Sequence, residues 1–311
     1  MPQLPGSPLE IFPLNLGGNA FGWTADEATS HAVLDRFVEA GGTFVDTADS
    51  YAAWLDGRGG QSETIIGSWL AARGRRDDVL VATKVARKPG REGLSRANVL
   101  AAVDESLERL QTDHVDLYYA HFDDEDVPVG EQVAAFDEVV RSGRAHAVGL
   151  SNFSPERMRE WFATAHREGA AVPVAVQPRW SLVSRQTYEQ DYAPIVAAEQ
   201  VMVFPYPALA SGFLTGKYRG EADFEGAARG GAARRYFEAG GLRVVDVLVD
   251  VAGRHGVEPA TVALAWLLAK GATAPIASVS RPEQLEPLLA AASTTLTDED
   301  VRRLDEASEG F

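Results

Sequence analysis

Short apolar segments alternate with amphipathic segments along the whole chain. An apolar run bounded by turn residues is typical of a strand buried on both faces, whereas apolar residues at every third or fourth position indicate a helix. The first pattern predicts strands at residues 11–17, 43–47, 79–84, 114–121, 146–151, 172–177, 201–206 and 273–278. Prolines at positions 13, 173, 205 and 275 shift the ends of four of them, because proline cannot donate a ladder hydrogen bond.

Residues that start and stop helices frame the amphipathic segments. The sequence predicts helices after Ser62, after Ser95 up to about residue 110, after Ser154, at 242–255, at 259–270 and after Thr297. Proline follows Ser154 directly, as it does at the first position of many helices. Residues 297–300, TDED, are close to a capping box, and Gly74 and Gly256 stand where a helix commonly ends.

The alternation of strands and helices predicts one α/β domain over residues 1–311, since no break in composition divides the chain. Eight strands favour the (β/α)8 TIM barrel over an open sheet. The interval between the seventh and eighth strands is about twice the usual length and contains residues 209–240, rich in Gly, Ala and Arg. Long loops after barrel strands are commonly functional. Two interpretations stay open here, a lid over a bound ligand and a disordered surface loop.

Composition narrows the class of protein. The chain has 29 basic and 45 acidic residues, for a net charge of −16, which disfavours nucleic acid and anionic membranes as partners. It has no cysteine, which excludes disulfides and thiolate chemistry, and its six histidines show no metal-binding spacing. Its N-terminus lacks the features of a signal peptide, and no apolar run is long enough to span a membrane. We therefore expect a cytoplasmic protein without a metal, and its oligomeric state stays open.

Polar side chains stand where nearly every predicted strand ends. Active sites of barrels are built at the C-terminal ends of the strands, so we expect these side chains to gather at one mouth. They are Asn19, Asp46, Tyr51, Lys84, His121, Ser151, Asn152, Gln177, Tyr206, Ser278 and Ser280.

Four members of this ring form a chemical unit. A tyrosine works as a general acid when its high pKa is brought toward neutrality, which a neighbouring ammonium favours. We interpret Tyr51 as the proton donor to a carbonyl oxygen, Lys84 as that ammonium, and Asp46 as the carboxylate that holds Lys84. His121 would orient the carbonyl, and the electrons must come from a bound cofactor. Considered without their partners, Asp46 and Tyr51 are more typical of a turn cap and a packed loop residue.

The motifs around this ring resemble those of the aldo-keto reductases, over nearly the full length of the chain. In chain order they are LGGNAFG, FVDTADSY, VLVATK, HVDLYYAH, VGLSNFS, PYPALASGFLTGKY and PIASVSRPEQL. The resemblance implies a barrel that binds NADPH in an extended pose and reduces an aldehyde or ketone. It also implies that Tyr51 is the proton donor and that Asp46, Lys84 and His121 complete a catalytic tetrad.

The resemblance extends to the cofactor. Ser151, Asn152 and Gln177 match positions that bind the nicotinamide carboxamide, and Tyr206 matches the aromatic residue that stacks on the nicotinamide ring. Further cofactor positions are Leu209, Ser211, Ser278, Ser280, Arg281 and Gln284. Arg281 beside a predicted helix start suits the 2′-phosphate of NADPH, so NADPH is expected over NADH. An ordinary surface arginine is the alternative interpretation.

Residues just past the strand ends are mostly aromatic. Asn19, Trp23, Trp54, Phe122 and Trp180 are the candidates for an apolar wall against a carbonyl substrate, although each tryptophan equally fits packing between loops. The acidic run 123–126 is interpreted as a solvated loop. The alternative function is a cofactor-binding redox sensor or regulatory subunit with little turnover. A glycosidase would need two facing carboxylates, and only Asp46 is convincing as one.

Overall fold

Eight parallel strands form one sheet in the structure, a computed structural model that describes all residues 1–311. They are β1 Asn15–Gly17, β2 Phe44–Asp46, β3 Leu80–Val85, β4 Val115–Ala120, β5 Ala145–Ser151, β6 Ala175–Gln177, β7 Met202–Val203 and β8 Ile276–Ala277. Seven of them follow chain order from β1 to β7, and β8 pairs with β1.

Hydrogen bonds between β7 and the chain entering β8 close the sheet. The amide of Thr273 donates to the carbonyl of Val203 at 2.8 Å, and the amide of Ile276 donates to the carbonyl of Pro205 at 2.9 Å. Closure of eight parallel strands with helices between them confirms the predicted (β/α)8 barrel.

Four strands are shorter than predicted by three or more residues, and a proline lies within two residues of each. β1 begins only after Pro13, β6 begins after Pro173, β7 ends before Pro205, and β8 begins after Pro275. Because proline offers no N–H to a neighbouring strand, it cannot continue a ladder.

Twelve α-helices surround or extend the barrel. They are α1 Glu27–Glu39, α2 Ala53–Asp56, α3 Gln61–Arg73, α4 Arg96–Leu110, α5 Val129–Arg141, α6 Pro155–Glu168, α7 Ala193–Glu199, α8 Gly230–Glu238, α9 Leu242–His255, α10 Pro259–Ala269, α11 Leu285–Leu289 and α12 Asp298–Ala307. Ser95 and Ser154 cap α4 and α6 as predicted. The predicted cap at Ser62 is wrong: α3 begins at Gln61, so Ser62 lies inside the helix, and its hydroxyl donates to the carbonyl of Gly18 at 2.8 Å.

The core has two parts, one inside the barrel and one between the strands and the helices. The inner part is built mainly from strand residues, and Leu4 and Ile11 of the N-terminal segment pack against it. Gly149 shows how tightly the interior is filled, because a Cβ there would lie 2.4 Å from the Tyr119 ring. No helix combines the length and apolar character needed to cross a membrane.

Residues 209–240 form short helical elements with packed aromatic contacts rather than an irregular surface loop. They contain 3-10 turns at Ala210–Thr215 and Glu221–Phe224, followed by α8. The Tyr218 and Phe224 rings stack at 4.7 Å with nearly parallel planes. The acidic run 123–126 is also partly anchored rather than fully solvated, because Asp123 forms a salt bridge with Arg157 at 2.6 Å.

Candidate active site

A cavity of about 870 Å³ opens at the C-terminal ends of the strands. The barrel strands provide its floor, and residues 207–232 provide much of its wall. Of the predicted ring, the residues that line it are Asn19, Asp46, Tyr51, Gln177, Tyr206, Ser278 and Ser280. The strand-end pattern therefore identified the mouth at which the cavity lies.

Lys84 lies beneath the floor of this cavity and is hydrogen-bonded to three of its groups. Its side chain is fully buried at the end of β3, and its ammonium donates three hydrogen bonds. They go to Asp46 Oδ2 at 2.6 Å, to the carbonyl of Thr47 at 2.6 Å and to the Tyr51 hydroxyl at 3.1 Å. All three donors of a lysine are thus engaged, which fixes the ammonium beside the phenol.

Asp46 is the second buried charge of the floor. Its Oδ2 accepts from Lys84 and, at 3.3 Å, from the Tyr51 hydroxyl, and its Oδ1 accepts from Gln177 Nε2 at 2.9 Å. A buried ion pair is stable only when its remaining hydrogen-bonding capacity is also satisfied, and these contacts do so.

The pKa of Tyr51 does not move in the expected direction. Burial, followed by the charge of Asp46 and the hydrogen bond to it, raises this pKa well above its ordinary value. Burial also lowers the pKa of Lys84, while Asp46 opposes that shift. The carboxylate next to the ammonium offsets the field that would otherwise favour a phenolate.

His121 faces the same phenol from β4. Its ring centroid lies 6.3 Å from that of Tyr51 in an edge-on arrangement, and its Nδ1 is buried without a partner. Burial and the positive charges of Lys84 and Arg87 hold the pKa of His121 well below its usual range. The imidazole is therefore neutral and can give a hydrogen bond without carrying a charge.

Ser151 and Asn152 lie behind the wall of the cavity and do not line it. The Ser151 hydroxyl donates to the carbonyl of Gln177 at 2.9 Å, and Asn152 Nδ2 donates to the carbonyl of His121 at 2.8 Å. The Tyr206 hydroxyl donates to Asn152 Oδ1. Asn152 also has a left-handed backbone, with φ of 57°, a conformation that is often retained at functional sites.

The ends of β7 and β8 supply the opposite wall. Leu209, Ser211, Ser278, Ser280 and Gln284 line the cavity, whereas Arg281 is exposed beside it. Ser280 shares a 2.6 Å hydrogen bond with Thr24, and its amide donates to Gln284 at 2.9 Å. Ser211 has φ of 58°, so this wall also contains left-handed backbone. Hydroxyls and turn backbone around an apolar cavity fit an extended cofactor that carries phosphates.

The predicted substrate residues divide into two groups. Asn19, Trp23 and Trp54 line the cavity, and the two indoles meet edge to face at 5.3 Å. Phe122 does not line it and lies under the guanidinium of Arg87 at 4.0 Å.

Trp180 also belongs to the core rather than to the cavity wall. It is 2% exposed and stacks on Tyr188 at 4.1 Å. For this tryptophan the packing interpretation is the right one.

Two cations of the cavity wall are not indicated by the strand-end pattern. Lys217 and Arg229 both line the cavity, and burial lowers the pKa of each. Lys217 lies in the motif PYPALASGFLTGKY, and Arg229 lies in the segment noted for its arginines. Neither position follows a strand end, so the pattern that located the ring could not select them.

One cluster of potential metal ligands lies at the other end of the barrel. His114, Asp116 and His146 bring ligand atoms within 4.8 Å of one another near the starts of β4 and β5. Asp116 already accepts hydrogen bonds from Arg76 and from the amide of Val81, and the two imidazoles stack at 4.4 Å. The hydrogen bonds that Asp116 already accepts and the positive charge of Arg76 both oppose the binding of a cation there.

The fold is a barrel with a buried, hydrogen-bonded Asp–Lys–Tyr group at its C-terminal mouth. The model of the Aldo/keto reductase family matches residues 13–309, and the chain belongs to this family as an NAD(P)H-dependent oxidoreductase.

Named relatives cover most of the chain. Aldo-keto reductase YhdN of Bacillus subtilis is 32% identical over 93% of this chain and 86% of its own. Norsolorinic acid reductase stcV of Emericella nidulans is 30% identical over 96% and 78%. A probable voltage-gated potassium channel subunit beta of Oryza sativa is 31% identical over 84% and 80%.

Proposed function

We propose that the protein reduces an aldehyde or a ketone to an alcohol with NADPH and that Tyr51 is the proton donor. The observation that supports this most directly is the hydrogen-bonded group of Asp46, Lys84 and Tyr51 on the cavity floor. A reduced nicotinamide bound in the cavity would supply the hydride.

The Tyr51 phenol is protonated at neutral pH, because burial raises a pKa that is ordinarily already well above 7. The oxygen of a carbonyl that receives hydride becomes an alkoxide, a much stronger base than a phenolate, so the phenol can donate without prior ionisation. The Lys84 ammonium, 3.1 Å away, then stabilises the phenolate that remains. His121, neutral and edge-on to the phenol, would orient the carbonyl oxygen.

The two walls divide the remaining roles in this proposal. Gln177 and Tyr206 would contact the nicotinamide end of the cofactor, and Ser151 and Asn152, which are hydrogen-bonded to these two residues, would hold that end from behind the wall. The residues that would hold its phosphates and adenosine are Leu209, Ser211, Ser278, Ser280, Arg281 and Gln284. Arg281, exposed and without a carboxylate partner, is available to the 2′-phosphate that distinguishes NADPH from NADH. Asn19, Trp23 and Trp54 would face the substrate.

The test is the loss of reduced-nicotinamide absorbance in the presence of a panel of aldehydes and ketones. We expect Tyr51→Phe to lower kcat by roughly 10²–10⁴-fold, the usual contribution of a positioned general acid. NADPH binding, followed by fluorescence, should stay unchanged. Tyr192→Phe is the matched control, because that hydroxyl donates to the carbonyl of Phe153 and does not line the cavity. Full activity of Tyr51→Phe would refute its role as proton donor.

A cofactor-binding regulatory subunit is the second candidate, and it rests on the similarity to a protein named a probable channel beta subunit. Such a protein would bind NADPH but turn over slowly. Tight NADPH binding by the unaltered protein, with no oxidation of NADPH by any member of the panel, would favour it over the reductase.

A further inference from the structure

Arg229 is one of three cations of residues 209–240 without a carboxylate partner, together with Lys217 and Arg235. Arg219 forms a salt bridge with Asp246, and Arg234 forms one with Glu221. Arg229 forms none, although the chain carries a net charge of −16.

The guanidinium of Arg229 keeps most of its donors free at the cavity wall. Its one hydrogen bond goes from Nη2 to the neutral amide oxygen of Asn19 at 3.1 Å, and it lies 5.4 Å from the Trp23 ring. A guanidinium has five N–H donors in a planar fork that matches carboxylate and phosphate oxygens. Burial lowers the pKa of Arg229, so the charged form is destabilised until an anion compensates it.

We propose that Arg229 binds an anionic group of the carbonyl substrate, either a carboxylate or a phosphate. The preferred substrates are then aldehydes or ketones that carry a negative charge a short distance from the carbonyl. This inference rests on the proposed reductase function, since it assigns the substrate class of the same cavity.

The position of Arg229 favours the substrate over the cofactor as the source of the anion. Its two contacts, Asn19 and Trp23, come from the loop after β1 and belong to the proposed substrate wall. Lys217 lies against the turn that follows β7, where a Cβ on Gly212 would be 3.2 Å from its Nζ, and burial and the charge of Arg229 lower its pKa.

The start of α8 adds further donors beside Arg229. This helix has no side-chain cap, and the amides of Gly231 and Ala232 donate to no protein acceptor while both residues line the cavity. An oxygen held by the guanidinium would also meet the positive end of the helix.

The experiment compares matched aldehydes with and without a charge. Succinic semialdehyde is paired with butanal, and glyceraldehyde 3-phosphate is paired with glyceraldehyde. We expect Arg229→Gln to lower kcat/KM for the charged member by roughly ten- to a hundredfold relative to its neutral partner, as for the loss of a charge-assisted hydrogen bond. Arg229→Lys should recover part of the difference. Arg235→Gln is the control, because Arg235 donates to the Tyr236 hydroxyl and does not line the cavity.

The affinity for NADPH separates the two sources of an anion. We expect Arg229→Gln to leave the Kd of NADPH within about threefold of its original value, a change of less than about 0.7 kcal/mol. A large rise in this Kd, with equal losses for charged and neutral aldehydes, would overturn the proposal and assign Arg229 to the cofactor.

The anion site can be tested even if the protein has no reductase activity. If the unaltered protein reduces no carbonyl, binding of succinate to the NADP-loaded protein still tests the site by fluorescence. Binding that Arg229→Gln abolishes supports the anion site without turnover, and equal binding to both proteins overturns it.

Discussion

Asp46 and Lys84 illustrate how two fully buried charges are kept stable. Each side chain is 0–1% exposed, and the ammonium and carboxylate share a 2.6 Å contact. The pair also engages Thr47, Tyr51 and Gln177, so few donors or acceptors are left without a partner. Removing one charge from such a pair leaves the other buried alone, which is more destabilising than removing both.

This asymmetry gives a stability prediction. We expect Lys84→Met to lower the free energy of unfolding by about 3–5 kcal/mol, because it leaves the Asp46 carboxylate uncompensated. The double variant Lys84→Met with Asp46→Asn should lose less, since no unpaired charge remains. Urea denaturation of both variants measures the difference. A double variant that is less stable than Lys84→Met would contradict this account of the pair.

For the residues of the cavity floor, the sequence predicts where the side chains lie but not how their pKa values shift. Asp46 and Lys84 end apolar strands and Tyr51 follows one, so the barrel geometry alone predicts that they meet. The direction of the pKa of Tyr51 depends on burial and on how closely Asp46 approaches the phenol, and neither is written in the spacing. Arg229 was missed for a related reason: it lies in a segment without periodicity, and its contact with Asn19 spans 210 positions of the chain.

At the scale of elements, Asp300 connects two helices through one carboxylate. It forms the capping box of α12 with Thr297, and it accepts from Arg254 at 2.6 Å and from His255 at 2.8 Å, both in α9. Burial alone would raise the pKa of Asp300, but the hydrogen bonds from His255 and Thr297 and the charge of Arg254 hold it at about 2.

The depressed pKa of Asp300 predicts a pH-dependent contribution to stability. An unfolded aspartate titrates near about 3.9, so the ionised native carboxylate stabilises the fold above that pH. The contribution is lost as the pH falls from about 4 toward the native pKa of about 2. Asp300→Asn should therefore lower Tm at pH 7, by an effect worth about 1–2 kcal/mol, and the difference should shrink below about pH 3.

Asp298→Asn is the control for this prediction. Asp298 is an exposed residue in the first turn of the same helix, so its replacement removes a charge without removing the capping box. A constant Tm difference for Asp300→Asn between pH 7 and pH 2 would count against the titration of Asp300 as its cause.

Helix starts were predictable where the cap is a local interaction. Ser95, Ser154 and Thr297 each bond to an amide three residues ahead, which is information contained within one turn. The cap predicted at Ser62 is wrong because its hydroxyl bonds to a residue distant in the chain, the carbonyl of Gly18. Strand ends shifted at prolines for the same kind of local reason, and those shifts were foreseeable.

At the scale of the whole molecule, the barrel depends on the seam between β7 and β8. Thr273 contributes twice to this seam, because its amide donates to the carbonyl of Val203 at 2.8 Å and its hydroxyl accepts from the amide of Val203 at 2.9 Å. β7 and β8 have only two residues each, and the Thr273 hydroxyl supplies the acceptor that the amide of Val203 needs between them.

We expect Thr273→Val to weaken this seam. The substitution keeps the shape of the side chain but leaves the amide of Val203 without an acceptor, which costs about 1–3 kcal/mol for a buried donor. Thermal or urea unfolding measures the loss, and hydrogen exchange should show faster exchange at Val203. Thr294→Val is the control, because that hydroxyl only bonds to the carbonyl of Ala290 in its own turn. Equal effects of the two substitutions would mean that the seam does not need Thr273.

The sequence predicted the architecture of the barrel better than the shape of its mouth. Eight apolar runs and the helices between them are repeated, local signals. Residues 209–240 close one side of the cavity through contacts such as the stacking of Tyr218 on Phe224, which follow neither a strand nor a helix period. Their length indicated function, but only the packing revealed which side chains point into the cavity.

The separation between the strand-borne floor and the loop-borne wall has a consequence for engineering. Asp46 and Lys84 are fixed by β2 and β3, whereas Arg229 is carried by a segment that crosses the mouth from outside the barrel. A library confined to residues 212–240 would vary the loop-borne wall while leaving Tyr51 and the proposed cofactor residues Leu209 and Ser211 in place. Transplanting that segment between relatives should exchange preferences as a unit, so new specificities can be screened without rebuilding the chemistry.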